Sequence, residues 1–315
     1  MLNKRLVVVT AAVCASAGFA EVELDTSAER VDTPLKLNLK RVGSLRPRST
    51  MEIKSSNFML GCECSDRDLV DFDGYKKFLP ALGLKTIRVQ GGWQKCEKVQ
   101  GVYDFAWLDN IVDFYNPKRK AVEGVFNTKG LLRTDLDKKV VGIKRAYYAV
   151  QNLASVFDDR WTRVKDSTFS STDAGIATYE YVKDTGEKLY LFWRFTSTVP
   201  QPIESGDSLH GDDLKPQPVR PGDSFETAPA VFLVKDGTFL KDPVWVDVFS
   251  GKVFEFPKRE VAPSRDATRY MNVPVYDSPC FLTERSALDL TPAGEVVGFK
   301  APTSGWLKDC SIGGS

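Results

Sequence analysis

The 315-residue sequence has a single histidine, His210, set in a stretch rich in glycine, aspartate and proline. That scarcity excludes a histidine-based nucleophile and base pair, and a histidine-rich metal site. Charge of one sign is also missing. Lys and Arg number 43 against 42 Asp and Glu, a net charge of +1. With no basic excess and no basic run, nucleic acid is not an expected partner. Past the N-terminus no apolar run is long enough to span a bilayer, so no transmembrane segment is expected. Cysteine is sparse and, beyond residue 20, odd in number: Cys62, Cys64, Cys96, Cys280 and Cys310. Irregular spacing gives no disulfide framework. Cys62-x-Cys64 has neither a second pair nor histidines to complete a zinc site. No metal and no cofactor are expected.

What is present begins with an address. MLNKRLVVVTAAVCASAGFA carries Lys4 and Arg5, then an apolar run from Leu6, then small residues ending at Ala20. This predicts a secretory signal peptide over 1–20, cleaved after Ala20, and a secreted or periplasmic protein in which disulfides are permitted. Cys14 raises lipid attachment, but Val13 precedes it where a small residue belongs. Hydrophobic content of 42% and charged content of 27% are those of an ordinary globular chain. The length suggests about two domains.

Residues 21–56 are polar with short alternating pieces such as LKLNLKRV, and predict N-terminal strands or a linker. NFMLGCE reads as a short strand. FDGYKKFLPALG places Tyr75, Phe78, Leu79 and Leu82 on one helical face, stopped by Gly83 and interrupted by Pro80. LKTIRVQ predicts a second strand. In DFAWLDNIVDFY, Phe105, Leu108, Ile111, Val112 and Tyr115 recur at helical spacing, with Asp104 as N-cap. Strand, helix, strand, helix is the order of parallel α/β units. IKRAYYAVQNLASVFDD predicts a further helix burying Tyr147, Val150, Leu153 and Phe157. From about residue 160 the period becomes two. IATYEYVKDTGEKLYLFWRFT predicts a hairpin turning at Asp184-Thr185-Gly186. PVWVDVFSGKVFEFP predicts another, turning at Ser250-Gly251, and YMNVPVYDSPCFLTE a further strand pair. Short strands joined by turns predict a β-sandwich. Residues 199–224, with Pro200, Pro202, Pro216, Pro218 and Pro221, read as a long surface loop.

The stretch GCECSDRDLVDFDGYKKFLPALGLKTIRVQGGWQKCEKVQGVYDFAWLD resembles the start of the catalytic barrel in secreted bacterial glycoside hydrolases close to glycoside hydrolase family 39, the β-xylosidase and α-iduronidase relatives. The features that match are Glu63 with Asp66-Arg67, Ile87-Arg88 with Gln90 and Gly92-Trp93, and Gly101-x-Tyr103-Asp104 with Trp107-Leu108-Asp109. KRAYYAVQNLASVFDD resembles the last barrel helix of those enzymes, with Arg145 where they place a proline. PVWVDVFSGKVFEFP and VPVYDSP resemble their C-terminal sandwich. The likeness spans most of residues 57–300.

A complete β/α barrel needs about 250 residues and is rarely below about 200. Residues 57–157 are too few, and a second-unit helix runs into a last-unit sequence near Tyr115-Asn116. The expected fold class is therefore α/β plus all-β. An incomplete (β/α) barrel remnant over 57–157 would be followed by an antiparallel β-sandwich over 158–315. The resembled enzymes retain configuration with two carboxyls about 5–5.5 Å apart. Their acid/base follows an asparagine, and no Asn-Glu dipeptide occurs here. The resemblance thus supplies no catalytic residue.

It implies substrate contacts for Glu63, Asp66 and Arg67 after the first strand, and for Arg88, Gln90 and Trp93 after the second. The first three could equally form a structural ion cluster. Trp93 could stack on a sugar ring or close the barrel mouth as a packed aromatic. Glu97 and Glu123 would serve as acids only if desolvated. Trp193, Trp245 and Trp306 are either a carbohydrate platform or sandwich core. The expected function is a truncated, inactive relative of a secreted retaining glycoside hydrolase, with an oligo- or polysaccharide as the partner. Two alternatives stand beside it. One is a non-catalytic carbohydrate-binding sandwich. The other is a glycosidase completed by self-association through unpaired strand edges.

Overall fold

The period-two segments pair as antiparallel sheet. In the computed structural model, residues 31–50, 52–53, 59–62, 71–84, 86–89, 92–115, 131–134, 140–195 and 229–295 are described. Strands β8 (Ile176–Lys183) and β9 (Lys188–Arg194) form the hairpin expected at Asp184-Thr185-Gly186. Gly186 takes φ +96° at its turn, a conformation open to glycine at no steric cost. Strands β11 (Pro243–Asp247) and β12 (Lys252–Glu255) form the second hairpin, with Gly251 at φ +69°.

Four further strands complete the eight-stranded larger sheet around these. From one edge it runs β16 (Leu290–Pro292), β1 (Arg41–Leu45), β12, β11, β15 (Cys280–Glu284), β9, β8 and β6 (Trp161–Arg163), antiparallel throughout. A four-stranded antiparallel sheet runs β13 (Val261–Pro263), β14 (Thr268–Val273), β10 (Ala230–Val234) and β7 (Phe169–Ser171). Strand β1 comes from the N-terminal 21–56 segment and pairs with two strands more than 200 residues away in the chain.

Alternation along each strand sends successive side chains to opposite faces. Tyr190, Phe192, Trp245, Phe254 and Leu282 point to the smaller sheet and pack with its Phe169, Phe232, Val234, Tyr270 and Val273. Leu189, Leu191, Val244, Val246, Val253 and Phe281 point the other way, onto a second buried cluster. All five residues of β11 are buried. A slip of one residue would exchange Trp245 with the valines on both faces at once, so the register is firmly specified. Trp245 is fully buried because its indole N–H donates to the Pro274 carbonyl at 3.0 Å.

Helix α4 (Arg145–Val156) covers the second face, with Leu153 and Val156 in its apolar cluster. It is joined to its surroundings by polar side chains. Asn152 is 1% exposed and donates through Nδ2 to the Val248 carbonyl (2.8 Å) in the β11–β12 turn. A Cβ on Gly251 would stand 2.5 Å from Asn152 Oδ1, so this helix and this turn meet only because residue 251 has no side chain. Gln151 donates to the Ala81 carbonyl (2.8 Å) and the Tyr147 hydroxyl to the Phe78 carbonyl (2.5 Å). Arg48 donates to the Ala154 carbonyl (2.9 Å) and pairs with Asp158 at 2.7 Å, both side chains being nearly buried. Burial opposes ionisation of Asp158, but hydrogen bonds from Arg160 and Arg48 outweigh it and hold the carboxyl below its ordinary range.

The expected barrel remnant is not there. The fold is mostly antiparallel sheet, with four short α-helices among the described residues: α1 (Phe72–Tyr75), α2 (Trp93–Cys96), α3 (Ala106–Tyr115) and α4. The segment read as the first barrel helix breaks into α1 and two three-residue 3-10 turns, the second beginning at Pro80, which cannot donate to a continuing helix. Strands β2 (Met59–Cys62) and β3 (Thr86–Val89) are parallel, but pair only with each other among the described residues. Helix α4 packs on an antiparallel sheet and closes no parallel unit. No helix among the described residues is long and apolar enough to cross a membrane. Residues 1–20, the 199–224 loop, His210, Cys64, Cys310 and Trp306 lie outside the described residues.

Replacing Asn152 by Ala should destabilise the protein by about 1–3 kcal/mol, since the Val248 carbonyl loses its buried donor. Gly251→Ala should cost more than its positive φ alone. In the Asn152→Ala background the added Cβ no longer meets the amide, so the two losses should be less than additive. Urea midpoints of the two single variants and the double variant, at unchanged m, test this coupling.

Candidate functional site

The segment 92–115 joins a short helix, a tight turn and a longer helix through local hydrogen bonds. Gly92 is extended and opens α2, whose Cys96 is 4% exposed and anchors the segment inward. The Glu97 N–H donates to the Trp93 carbonyl (2.8 Å) and the Val102 N–H to the Val99 carbonyl (2.9 Å). Gly101 supplies φ +78° at this turn, and its N–H donates to Glu97 Oε1 (2.7 Å). The Asp104 N–H returns to the Cys96 carbonyl (2.8 Å), and Asp104 Oδ1 accepts from the Ala106 N–H (3.0 Å) at the start of α3.

This frame presents three rings to water. Trp93 is 66% exposed, Tyr103 54% and Phe105 44%. Trp93 and Tyr103 lie 5.9 Å apart, inclined at 68°. Tyr103 and Phe105 are 6.2 Å apart with planes within 3° of each other. The result is two parallel rings beside a third set at a steep angle. Val99 and Val102 are exposed next to them, and Gln94, Lys98, Gln100 and Asp104 supply exposed polar groups. Lys95 places its ammonium 4.4 Å from the Trp107 ring. Scattered apolar residues on a surface need no explanation, but a contiguous aromatic set does. Such rings offer apolar faces to C–H groups, and their polar neighbours can bond hydroxyls.

Among the sequence-predicted residues, Trp93 is exposed and not a packed aromatic. Arg88 lies in β3, where Gly61 is its partner on β2. The register Cys62↔Val89 brings the ends of the two strands together. Glu63, Asp66, Arg67, Gln90 and Glu123 lie outside the described residues. Phe105, placed by periodicity on the α3 stripe, precedes the helix and faces water. The signal for the platform was the Tyr-Asp-Phe triplet after Gly101, since extended residues two apart share a side. Trp245 is core, as above, and Trp193 is half-buried.

A second polar cluster has a different character. Asp247, at the end of β11, is fully buried. Its Oδ1 accepts from the Tyr276 hydroxyl (2.6 Å) and the Phe249 N–H (3.1 Å), and its Oδ2 from the Ser250 hydroxyl (2.6 Å). Burial pushes its carboxyl above the ordinary range, and these hydrogen bonds only partly offset that. Cys280, opposite Asp247 on β15, is also fully buried, and burial raises its thiol. Sealed from solvent, the cluster fixes the β11–β12 turn and offers no place for a substrate. Among the described residues no group of His, Cys, Asp and Glu could hold a metal ion. Neither a protein-family model nor a curated protein matches this chain.

Asp247 and Asp158 should bend the stability–pH curve in opposite directions. A raised folded pKa means that the native state binds the extra proton. The Asp247 contribution is therefore full below the ordinary aspartate value near 4 and is lost as pH rises through the raised value. A lowered one, at Asp158, contributes above that value and is lost as pH falls. Asp247→Asn keeps an acceptor for Tyr276 and Phe249 and cannot ionise. Chemical denaturation from pH 4 to 8 should show the variant gaining on the wild type as pH rises. A constant difference would disprove the assignment.

Proposed function

We propose that the chain is a secreted carbohydrate-binding protein without hydrolytic activity, and that Trp93, Tyr103 and Phe105 form its sugar platform. The observation that carries this reading is the exposure of three neighbouring rings on a loop held by its own backbone hydrogen bonds. A preordered loop loses little entropy when a ligand settles on it. The resemblance of residues 57–300 to secreted glycosidases supports saccharide as the ligand class, and the N-terminal 20 residues support export.

The carboxylates beside the platform support binding over turnover. Glu97 is engaged by Gly101 N–H and Asp104 by Ala106 N–H. A glycosidase acid instead needs a dry environment that raises its pKa, with a second carboxyl facing it across the bond.

Wild-type protein should be retained on at least one of a panel of insoluble polysaccharides (cellulose, xylan, chitin) and release no reducing sugar. Trp93→Ala should weaken retention about tenfold or more, on the scale of about 1.5–3 kcal/mol for covering a large apolar side chain. Its unfolding midpoint should stay within about 0.5 kcal/mol of wild type, as for a surface residue. Release of sugar by wild type, or undiminished retention of Trp93→Ala, would reject the proposal.

A further inference from the structure

The face of the large sheet that carries α4 extends past it. On this face Leu189 and Leu191 lie in the cluster shared with Leu153 and Val156, and Phe157 packs on Tyr181 with ring centroids 5.0 Å apart. Beside them the same face carries Arg163 on β6, Tyr179 on β8 and Trp193 on β9, the two rings packed against that cluster. Strand register sets them there. Arg163 is opposite Tyr181, Tyr179 opposite Leu191 and Trp193 opposite Ala177, so the three fall on one diagonal across β6, β8 and β9.

They form one stack. The Tyr179 and Trp193 rings are 5.2 Å apart with planes inclined by 14°. The Arg163 guanidinium carbon lies 4.6 Å from the Tyr179 centroid. Tyr179 and Trp193 are half-buried and Arg163 is exposed. Among the described residues no carboxylate pairs with Arg163. Other arginines of this sheet and its margins are engaged: Arg194 with Asp173, Arg46 with Glu52, and Arg160 with Asp158.

A guanidinium resting on a ring has one face covered while its N–H fork stays free in the plane. That fork matches the two coplanar oxygens of a carboxylate. The aromatic steps beside it give apolar surface for the C–H groups of a pyranose. We infer that Arg163, Tyr179 and Trp193 form a second subsite, which takes a uronic acid residue of an acidic saccharide. The inference rests on the carbohydrate-binding reading and adds the charge class of the ligand. The site is separate in sequence and element from the Trp93 platform, so each can be removed alone.

The test titrates the full chain with a galacturonic acid tetramer, a sulfated tetrasaccharide and the neutral saccharide retained best. Arg163→Gln should weaken uronate binding about tenfold or more and flatten its salt dependence, leaving neutral binding unchanged. Arg163→Lys should restore only part of it, because an ammonium lacks the fork. Trp93→Ala should instead reduce neutral binding. Uronate binding indifferent to Arg163→Gln, or a sulfated ligand bound as tightly as the uronate, would overturn the subsite alone. A wild-type protein that binds no saccharide would overturn the reading beneath it as well.

Discussion

The fold turns on one contact between a side-chain amide and a turn that lacks a side chain. Asn152 of α4 reaches the Val248 carbonyl in the β11–β12 turn, at the one place where Gly251 leaves room. Strand β11 is central in the large sheet and buried along its whole length. Fixing α4 to its end therefore fixes the helix against the middle of the sheet. The next residue, Gln151, together with Tyr147, ties the same helix to the carbonyls of Ala81 and Phe78. Arg48 holds its C-terminal end. Buried amides and carbonyls left unpaired would each cost about 1–3 kcal/mol, so these bonds specify the arrangement more strongly than apolar contact could.

That placement also decides what stays uncovered. A twelve-residue helix is about 18 Å long and cannot shield an eight-stranded sheet. Leu189, Leu191, Val244 and Val246 are buried in the cluster it joins, Tyr179 and Trp193 pack against that cluster but stay half-buried, and Arg163 is exposed. On the other face the smaller sheet takes all the aromatic residues it meets into a common core. Among the described residues, aromatic side chains are thus hidden by the four-stranded sheet, half-covered on the face that carries α4, or exposed together on the 92–105 loop, with others buried elsewhere and Phe195 and Phe239 exposed singly.

Local chemistry was readable in the sequence, and long-range pairing was not. Both hairpins were legible because their turns contain Gly186 and Gly251 and their strands alternate, signals confined to about twenty residues. Helix α4 was legible as an element, but its innermost face only in part. Counting apolar residues selects Tyr147, Val150, Leu153 and Phe157; the structure buries Tyr147 completely, but it buries Gln151, Asn152 and Ser155 more deeply than the other three. Periodicity cannot see polar side chains that are buried because they hold carbonyls. The barrel expectation failed for a related reason. A strand-helix-strand order is local, but a barrel exists only if each strand finds further parallel neighbours, and β2 and β3 pair only with each other among the described residues. Strand β1 could not be placed at all, since its partners are β12 and β16. Of the candidate site, Trp93 was legible from its glycine-flanked loop, while Phe105 was drawn into the α3 stripe by spacing alone.

The acids near the rings bear on what such a surface can do. Glycoside hydrolysis needs a carboxyl kept protonated by a dry pocket and a second one ionised opposite it. Among the described residues, Asp247 is a fully buried carboxyl whose pKa burial raises, and it is enclosed by the donors Tyr276, Ser250 and Phe249 N–H, with Thr33 beside them. The accessible carboxyls beside Trp93 and Tyr103 brace the loop: Glu97 at the Gly101 turn and Asp104 at the head of α3. Each carboxylate accepts from a backbone N–H of the frame that holds the rings in place, so its oxygen is committed to presenting the platform. A surface built this way is consistent with the binding role proposed for it.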